Sequence, residues 1–150
     1  MTALTLARQG DLERLLPMVA TRAAELGSAG EAAATRAALL PLLEGCPHGA
    51  VYLVGPPRAP IGYVVLSFGW SLMAGGLTAR IDEMHIRRAV RGRGIGTEVL
   101  GSLPRALAGA GLRAIEVEAG RDESRLRALF ERRRFHPQDD RVTLRMTLAG

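Results

Sequence analysis

The sequence predicts a mixed α/β (α+β) fold, with a central, mostly antiparallel β-sheet of about six to seven strands flanked by about four helices. One observation behind this is that apolar residues recur with period two in some segments and with helical period in others. A second observation is the element order β-α-α-β-β-β-α-β-α-β. An antiparallel meander followed by alternating helices and strands is typical of a mixed sheet with helices on both faces. A third is a glycine-rich turn, residues 91–96, that joins a strand to a helix.

The first part of the chain predicts one strand and two helices. Residues 4–8 alternate and form the strand. Asp11 is a suitable N-cap for the first helix, which Pro17 is expected to kink. Ser28 and Glu31 have the spacing of a capping box and open a second helix that is rich in alanine and leucine.

Three strands are expected in the middle of the chain. Residues 50–54 and 61–68 form an antiparallel pair, and residues 78–86 form the next strand after a linker at residues 70–76. Residues 59–79 carry no charge over a length that could cross a bilayer, but they alternate like strands and contain a proline and four glycines. We therefore expect no membrane segment and no membrane partner.

The last third alternates helices and strands. A helix is predicted at residues 94–108, where Pro104 should kink it. Residues 115–119 alternate as a strand, and Asp122 is the N-cap expected for the following helix. Residues 142–148 alternate again and are predicted to close the sheet.

Composition limits the partners and the compartment. The chain has 150 residues, of which 47% are hydrophobic, which suits one domain spanning residues 1–150. Its net charge of +5 is spread along the chain and aromatic residues are few, so we expect no nucleic-acid partner. Arg8 and Asp11 interrupt any apolar run near the N-terminus, which argues against a signal peptide and for a cytoplasmic protein.

No metal site is expected. Cys46 is the single cysteine, so the chain can form neither an internal disulfide nor a thiolate cluster. The histidines lie far apart in sequence, without the spacing of metal ligands, at His48, His85 and His136.

The turn at residues 91–96 has the chemistry of an anion site. Its glycines stand at every second position, so the backbone N–H groups are unshielded beside the positive end of the following helix. Arginines, whose planar forks suit phosphate oxygens, flank the turn at Arg87, Arg88, Arg91 and Arg93. A ligand with more than one phosphate is therefore expected here.

Three phosphate-binding patterns compete for this turn. A Walker A loop needs a lysine, and the chain has none. A dinucleotide fingerprint fits Gly92 and Gly94 but meets Thr97 where its third glycine should stand. The third pattern, Arg/Gln-x-x-Gly-x-Gly/Ala, matches Arg91, Gly94 and Gly96. In this the turn resembles the coenzyme A pyrophosphate loop of the GNAT superfamily of N-acetyltransferases.

The resemblance to this family extends over nearly the whole chain. The element order is that of the GNAT fold, residues 81–86 resemble its central strand, and residues 121–135 are similar to its Asn-x-x-Ala-x-x-Leu-Tyr-x-x-x-Gly-Phe motif. Residues 68–76 resemble, more weakly, a linker in some bacterial members. The resemblance implies a bacterial-type enzyme that moves an acetyl group from acetyl-CoA directly to a primary amine of a small molecule, peptide or protein.

The resemblance also implies where coenzyme A binds. Pantetheine would lie in a gap between the strand ending at Ile86 and the strand at residues 115–119, beside the backbone of His85 and Ile86. An N–H group near Ile86 would stabilise the oxyanion. The pyrophosphate would lie on the loop, which comprises Arg91, Gly92, Arg93, Gly94, Ile95, Gly96 and Thr97.

A carboxylate on the central strand is the candidate general base. An amine is mostly protonated at neutral pH, so a base or a water chain must remove a proton before attack on the thioester. Glu83 matches the family position best and Asp82 is the alternative, because a regular strand directs the two to opposite faces. A structural role for both, in ion pairs with arginines, is the remaining interpretation.

Three positions depart from the family pattern. Phe130 replaces the tyrosine that protonates the leaving thiolate, and is expected to pack in the core at the rim of the thioester tunnel. Glu123 replaces an asparagine, and Arg134 replaces a glycine and must therefore adopt a left-handed conformation. These changes keep a second function open, namely a CoA-binding module with weak or lost catalysis.

No motif identifies the acceptor amine. In the GNAT fold the acceptor pocket is built from the first two helices, their connection at residues 27–30, and the residues around Phe68 and Trp70. Trp70 has three interpretations, as a wall of that pocket, as a contact in a homodimer, or as a core residue.

Overall fold

A five-stranded sheet forms the centre of the computed structural model, which describes residues 2–28 and 30–148. The strands are β1 Leu4–Leu6, β2 Gly49–Val54, β3 Gly62–Ser71, β4 Gly76–Ile86 and β5 Ala114–Val117. They lie side by side in sequence order. Neighbours are antiparallel except β4 and β5, which are parallel. The mixed, mostly antiparallel sheet predicted from the sequence is confirmed.

The described residues also form four α-helices, as predicted. These are α1 Leu12–Glu25, α2 Ala32–Leu43, α3 Ile95–Ala106 and α4 Ser124–Glu131. Helix α1 continues through Pro17 and helix α3 through Pro104. No helix in this part of the chain is long and apolar enough to cross a membrane. The uncharged residues 59–79 instead supply β3 and the start of β4.

Each face of the sheet carries its own apolar core, because successive side chains of a strand point to opposite faces. Helices α1 and α2 cover one face, where the buried residues include Leu15, Met18, Leu39, Leu43, Val51, Leu53, Tyr63 and Val65. Helices α3 and α4 cover the other, where they include Val64, Leu66, Ile81, Val99, Leu100, Leu103 and Phe130. The sheet is therefore the middle of three layers.

Strand β4 contains a β-bulge at Asp82. Consecutive residues of β3 pair with Ile81 and Glu83, so Asp82 has no partner position. Ile81 and Met84 both pack toward α3 and α4 although they are three residues apart. Glu83 and His85 face α1 and its core instead. The expectation that regular alternation separates Asp82 from Glu83 is therefore wrong, because the strand is not regular at this point.

The gap expected between β4 and β5 is present. Strand β5 pairs with residues 78–81 of β4, whereas β4 continues to Ile86. Residues 82–86 consequently have no strand neighbour on that side among the described residues. The C-terminal half of β4 thus offers its backbone to the space in front of the glycine-rich turn.

The C-terminal part of the chain differs most from the prediction. Residues 142–148 form no strand, and their side chains are exposed, so the described sheet has five strands rather than six to seven. The alternating pattern alone cannot make a strand, since a strand needs a partner for its backbone groups. Residues 70–76, which were predicted to be a linker, belong partly to β3 and β4. Glu31, predicted to take part in a capping box, precedes α2 without a side-chain capping hydrogen bond.

Candidate active site

The glycine loop, residues 91–96, turns sharply before α3. Gly92 and Gly94 have φ values of +78° and +79°, in the left-handed region that favours glycine. Gly94 is the N-cap of α3, and its carbonyl oxygen accepts the Glu98 N–H at 3.0 Å. Among the described residues, none accepts a hydrogen bond from the backbone N–H groups of residues 92–97. Such donors at the positive end of a helix attract anions.

A cavity of about 660 Å³ opens in front of this loop. Its walls are the end of α1, the unpaired end of β4, the glycine loop and α4. The lining combines apolar Met84, Leu126 and Leu129 with basic Arg125 and Arg132. Most of the residues predicted to bind coenzyme A line this cavity. They are His85, Ile86, Arg91, Gly92, Gly94, Ile95, Gly96 and Thr97.

Arg91 ties the glycine loop to two other elements. Its Nε donates to the Ile86 carbonyl oxygen at 2.7 Å, and its Nη2 donates to Glu25 Oε2 at 2.8 Å, at the end of α1. The hydrogen bond from Arg91 lowers the pKa of Glu25, which stays ionised at neutral pH. Arg88 lies 3.9 Å from the same carboxylate. Arg93 is exposed and lies outside the cavity lining, unlike the other predicted loop residues.

His85 places a buried imidazole in the wall of the cavity. It is 4% exposed, and its ring centroid lies 5.7 Å from that of Tyr63. Burial lowers the pKa of His85, an effect that the Glu25 carboxylate opposes and that Arg91 reinforces. The ring is therefore neutral at neutral pH.

Glu83 is held by two side chains on the α1 side of the sheet. The Tyr63 hydroxyl donates to Glu83 Oε1 at 2.8 Å, and Arg22 Nη1 lies 3.4 Å from the same oxygen. Burial and the hydrogen bond to Glu83 raise the pKa of Tyr63, so its hydroxyl stays protonated and donates. Glu83 itself does not line the cavity, but Arg22 does. The side chain of Asp82 is exposed and has no hydrogen bond or ion pair within the described ranges.

The three departures from the family pattern lie on or beside α4. Glu123 lines the cavity, and its Oε1 accepts a hydrogen bond from the Gly120 N–H at 3.0 Å, which stabilises the turn at residues 120–123. Arg134 has a φ of +69°, the left-handed conformation predicted for it. Phe130 is 4% exposed and packs edge-on against Phe135, as a core residue should. Phe130 is not among the residues that line this cavity, so its expected place at the rim of the thioester site stays a prediction.

Sequence reasoning missed the residues that α1 contributes. Arg22 and Glu25 stand in its last turn, line the cavity, and contact Glu83 and Arg91 respectively. Their spacing of three places them on one side of a helix, which is the only local signal of a shared role. Glu25 and Arg91 are 66 residues apart in sequence, so only the fold reveals their contact.

The predicted acceptor region reaches the cavity only in part. Leu26 at the end of α1 lines it, while residue 29 of the helix connection lies outside the described residues. Phe68 packs against the core under α3 and α4. Trp70 is 73% exposed at the end of β3 remote from the glycine loop, so its interpretation as a core residue is wrong.

Comparison with known proteins settles the family. The acetyltransferase (GNAT) family matches residues 20–135. The chain belongs to this family. Every residue of the cavity lining lies within the matched stretch, so the GNAT match covers the whole candidate site. No curated protein matches the chain.

Solved structures share the GNAT fold of this chain. Integron cassette protein HFX_CASS3, from the mobile metagenome of Cole Harbour Salt Marsh, is 28% identical with a TM-score of 0.84 and covers 98% of this chain and 91% of its own. A possible acetyltransferase from Clostridium difficile 630 is 13% identical with a TM-score of 0.86 and covers 99% of both chains. The aminoglycoside acetyltransferase meta-AAC0020 from an uncultured soil metagenomic sample, in complex with sisomicin, is 12% identical with a TM-score of 0.77 and covers 99% of this chain and 97% of its own.

Proposed function

We propose that this GNAT protein transfers an acetyl group from acetyl-CoA to a primary amine of a small molecule, a peptide or a protein. The observation that carries the proposal is the row of N–H groups at the start of α3 that have no acceptor among the described residues. This row lies at a cavity beside the gap between β4 and β5. A pyrophosphate needs several donors aimed at one point. An extended thiol arm needs a slot beside unpaired backbone, as residues 82–86 of β4 provide.

The side chains around the cavity suit coenzyme A. Arg125 and Arg132 add positive charge on the α4 side of the loop, where phosphate groups need counter-charges. Met84, Leu126 and Leu129 offer apolar contact to the hydrocarbon part of pantetheine. When bound, acetyl-CoA supplies an activated carbonyl carbon and a thiolate leaving group.

Glu83 is the general base in this proposal. Its Oε1 contacts Arg22, which lines the cavity, and accepts a hydrogen bond from the Tyr63 hydroxyl at the same oxygen. Because Glu83 stands behind the lining, the proton passes from the acceptor amine to it through water. The neutral amine then attacks the carbonyl carbon, and the new C–N bond forms as the C–S bond breaks. The nitrogen loses its second proton, which passes through water to the thiolate, since Phe130 has none to give.

A binding experiment tests the coenzyme A site. Gly94→Asp places a carboxylate where the pyrophosphate is proposed to lie, and at about 4 Å such repulsion weakens binding by roughly 10²-fold or more. Gly45→Asp is the matched control, because Gly45 also has a positive φ, of +90°, and open space around it, but lies between α2 and β2. Both variants carry a similar backbone cost of about 1–2 kcal/mol. Equal acetyl-CoA affinity of the two variants in isothermal titration calorimetry would remove the site assignment.

A turnover experiment separates catalysis from binding alone. Phe130 in place of the family's tyrosine supports the second candidate, a CoA-binding module with weak or lost catalysis. Thiol release from acetyl-CoA is measured with a panel containing an aminoglycoside, a polyamine and a peptide with a free N-terminus. Release that depends on an amine supports the transferase, whereas tight acetyl-CoA binding without release for any amine supports the binding module.

A further inference from the structure

His85 carries an almost fully buried imidazole, and no described residue forms a hydrogen bond with its ring. Every fully buried side-chain nitrogen or oxygen in the described ranges does have a hydrogen-bond partner, so the ring nitrogens of His85 are not sealed off. They reach open space, and the open space that His85 lines is the cavity in front of the glycine loop. A polar ring that the protein itself leaves without a partner is suited to a ligand in that cavity.

The side chains around His85 hold its ring by packing and give their polar atoms to other partners. The Tyr63 ring lies against it, with the ring centroids 5.7 Å apart, but the Tyr63 hydroxyl donates to Glu83. The Glu25 carboxylate, at the end of α1, accepts a hydrogen bond from Arg91. The imidazole is therefore fixed in place while its nitrogens stay available to the cavity.

His85 also stands next to the backbone where the thioester is proposed to bind. The Arg87 N–H donates to the Ile61 carbonyl oxygen at 2.8 Å, so the N–H of the neighbouring Ile86 points to the other side of β4, into the gap beside β5. An oxyanion that accepts from the Ile86 N–H places the carbonyl carbon within about 4 Å of that nitrogen. The ring of the preceding residue, on the α1 side of the sheet, adjoins this position.

Acetyl transfer needs a carrier for one proton at this carbon. As the C–N bond forms and the C–S bond breaks, the nitrogen loses a proton and the thiolate gains one. Nitrogen and sulfur are both attached to the carbonyl carbon at that moment, so a single ring nitrogen can serve both atoms. An N-protonated amide is a strong acid, whereas a thiol has a pKa of about 8.5, and imidazole lies between them. Both transfers through an imidazole therefore run downhill.

We propose that His85 is a catalytic residue that carries this proton from the acetylated nitrogen to the thiolate of coenzyme A, an inference that rests on the transferase function proposed above. One ring nitrogen accepts the proton from the nitrogen of the new amide, and the same ring nitrogen returns it to sulfur. The imidazole is neutral again at the end of the cycle. Glu83 keeps its separate task of taking the first proton from the ammonium group through water. His85 thus supplies the proton that Phe130 cannot give.

The charges around the ring keep it ready to accept a proton. The titratable groups that face it are Arg22 and Glu25 of α1, Tyr63 of β3, Glu83 and Arg87 of β4 and its end, and Arg91 of the glycine loop. Burial lowers the pKa of His85, the arginines act in the same direction, and the Glu25 carboxylate opposes them. The ring is consequently neutral at neutral pH and becomes charged only in acid, where it can no longer accept.

The first test is the turnover of His85→Gln, since glutamine keeps a polar side chain but cannot carry a proton. Amine-dependent thiol release should fall by roughly 10²-fold at neutral pH, while acetyl-CoA affinity in isothermal titration calorimetry stays that of the wild type. His85→Asn should show the same loss, so the test does not depend on the folding of one substitution. His48→Gln is the matched control, because His48 is exposed and lies outside the cavity lining, and it should keep full turnover.

Two further measurements distinguish proton transfer from a structural role. The ratio of wild-type to His85→Gln turnover should be largest near neutral pH. It should shrink below about pH 6.5, where the ring is charged, and above about pH 8.5, where the thiolate leaves without a proton. Added imidazole should restore part of the turnover of His85→Ala, because it can enter the space left by the ring, and should leave His48→Gln unchanged.

The outcomes separate the role of His85 from the proposed function. Full turnover of a folded His85→Gln or His85→Asn overturns the role of His85 and leaves the transferase intact. A loss of turnover that is equal at every pH, and that imidazole does not restore, makes the residue structural and also overturns the proposal. A wild type that binds acetyl-CoA but releases no thiol with any amine overturns the transferase, and the role of His85 falls with it.

Discussion

Replacing Glu83 by glutamine should separate a chemical role from a structural one. The Tyr63 hydroxyl can still donate to the amide oxygen of Gln, so that hydrogen bond survives. What is lost is the ion pair with Arg22, at 3.4 Å, whose two side chains are 27% and 29% exposed. A partly exposed pair of this kind contributes at most about 1 kcal/mol. The variant should therefore stay folded, with a free energy of unfolding lower by about 1 kcal/mol or less.

The effect on the rate of Glu83→Gln should be larger than its effect on stability. Loss of a general base lowers turnover by about 10²-fold at neutral pH, which corresponds to about 2.7 kcal/mol in the activation free energy. Turnover should recover partly as pH rises, because free amine accumulates without help from a base. The measurement is a pH–rate profile of amine-dependent thiol release, together with urea unfolding of both proteins.

Asp82→Asn is the comparison variant for Glu83→Gln. It also removes one carboxylate from β4, at the exposed residue of the bulge. If Asp82→Asn loses turnover while Glu83→Gln keeps it across the pH range, the base is Asp82 and the reasoning from the Tyr63 and Arg22 contacts fails. If neither variant changes the profile, both carboxylates are structural.

Three further outcomes follow from the structure. Gly62→Ala should lower the free energy of unfolding by about 2–3 kcal/mol in urea titrations, since its Cβ would lie 2.2 Å from the His85 carbonyl oxygen, whereas Gly10→Ala has open space and should not. The depressed pKa of His85 means that the unfolded chain binds more protons in acid, so stability should fall as pH drops below about 6.5. His85→Gln should reduce this loss of stability in melting curves recorded at several pH values. If the variant loses as much stability in acid as the wild type, the loss comes from a group other than His85. Phe130→Tyr should leave turnover unchanged, because its ring lies outside the glycine-loop cavity, and a several-fold rise in thiol release would contradict that placement.

The local parts of the fold could be predicted from the sequence, and the parts that depend on partners could not. Helical and alternating periods are properties of neighbouring residues, and they located four helices and the first five strands. The bulge at Asp82 depends on the register with β3, which no local pattern records. The alternating residues 142–148 were expected to form a strand, but a strand requires an edge to pair with, and the described chain pairs them with none.

The candidate site divides in the same way. The glycine loop was predictable because positive φ and an open helix N-terminus follow from a few adjacent residues. Arg22 and Glu25 were not, since their contacts with β4 and the loop arise only when α1 packs on the sheet. The left-handed conformation of Arg134 was expected from the family resemblance instead, because the family has a glycine at this position.

The extra residue at Asp82 has a meaning for comparisons within the GNAT family. It reverses the sidedness of everything that follows it in β4, so Glu83 faces the helix layer of α1 although Ile81, two positions earlier, faces the opposite layer. In a relative whose strand is uninterrupted, the side chain facing the first helix would occupy the aligned column of Asp82. Carboxylates that this chain and such a relative carry in the same alignment column can thus lie on opposite sides of the sheet. Conversely, carboxylates in adjacent alignment columns of the two chains can occupy the same place in space.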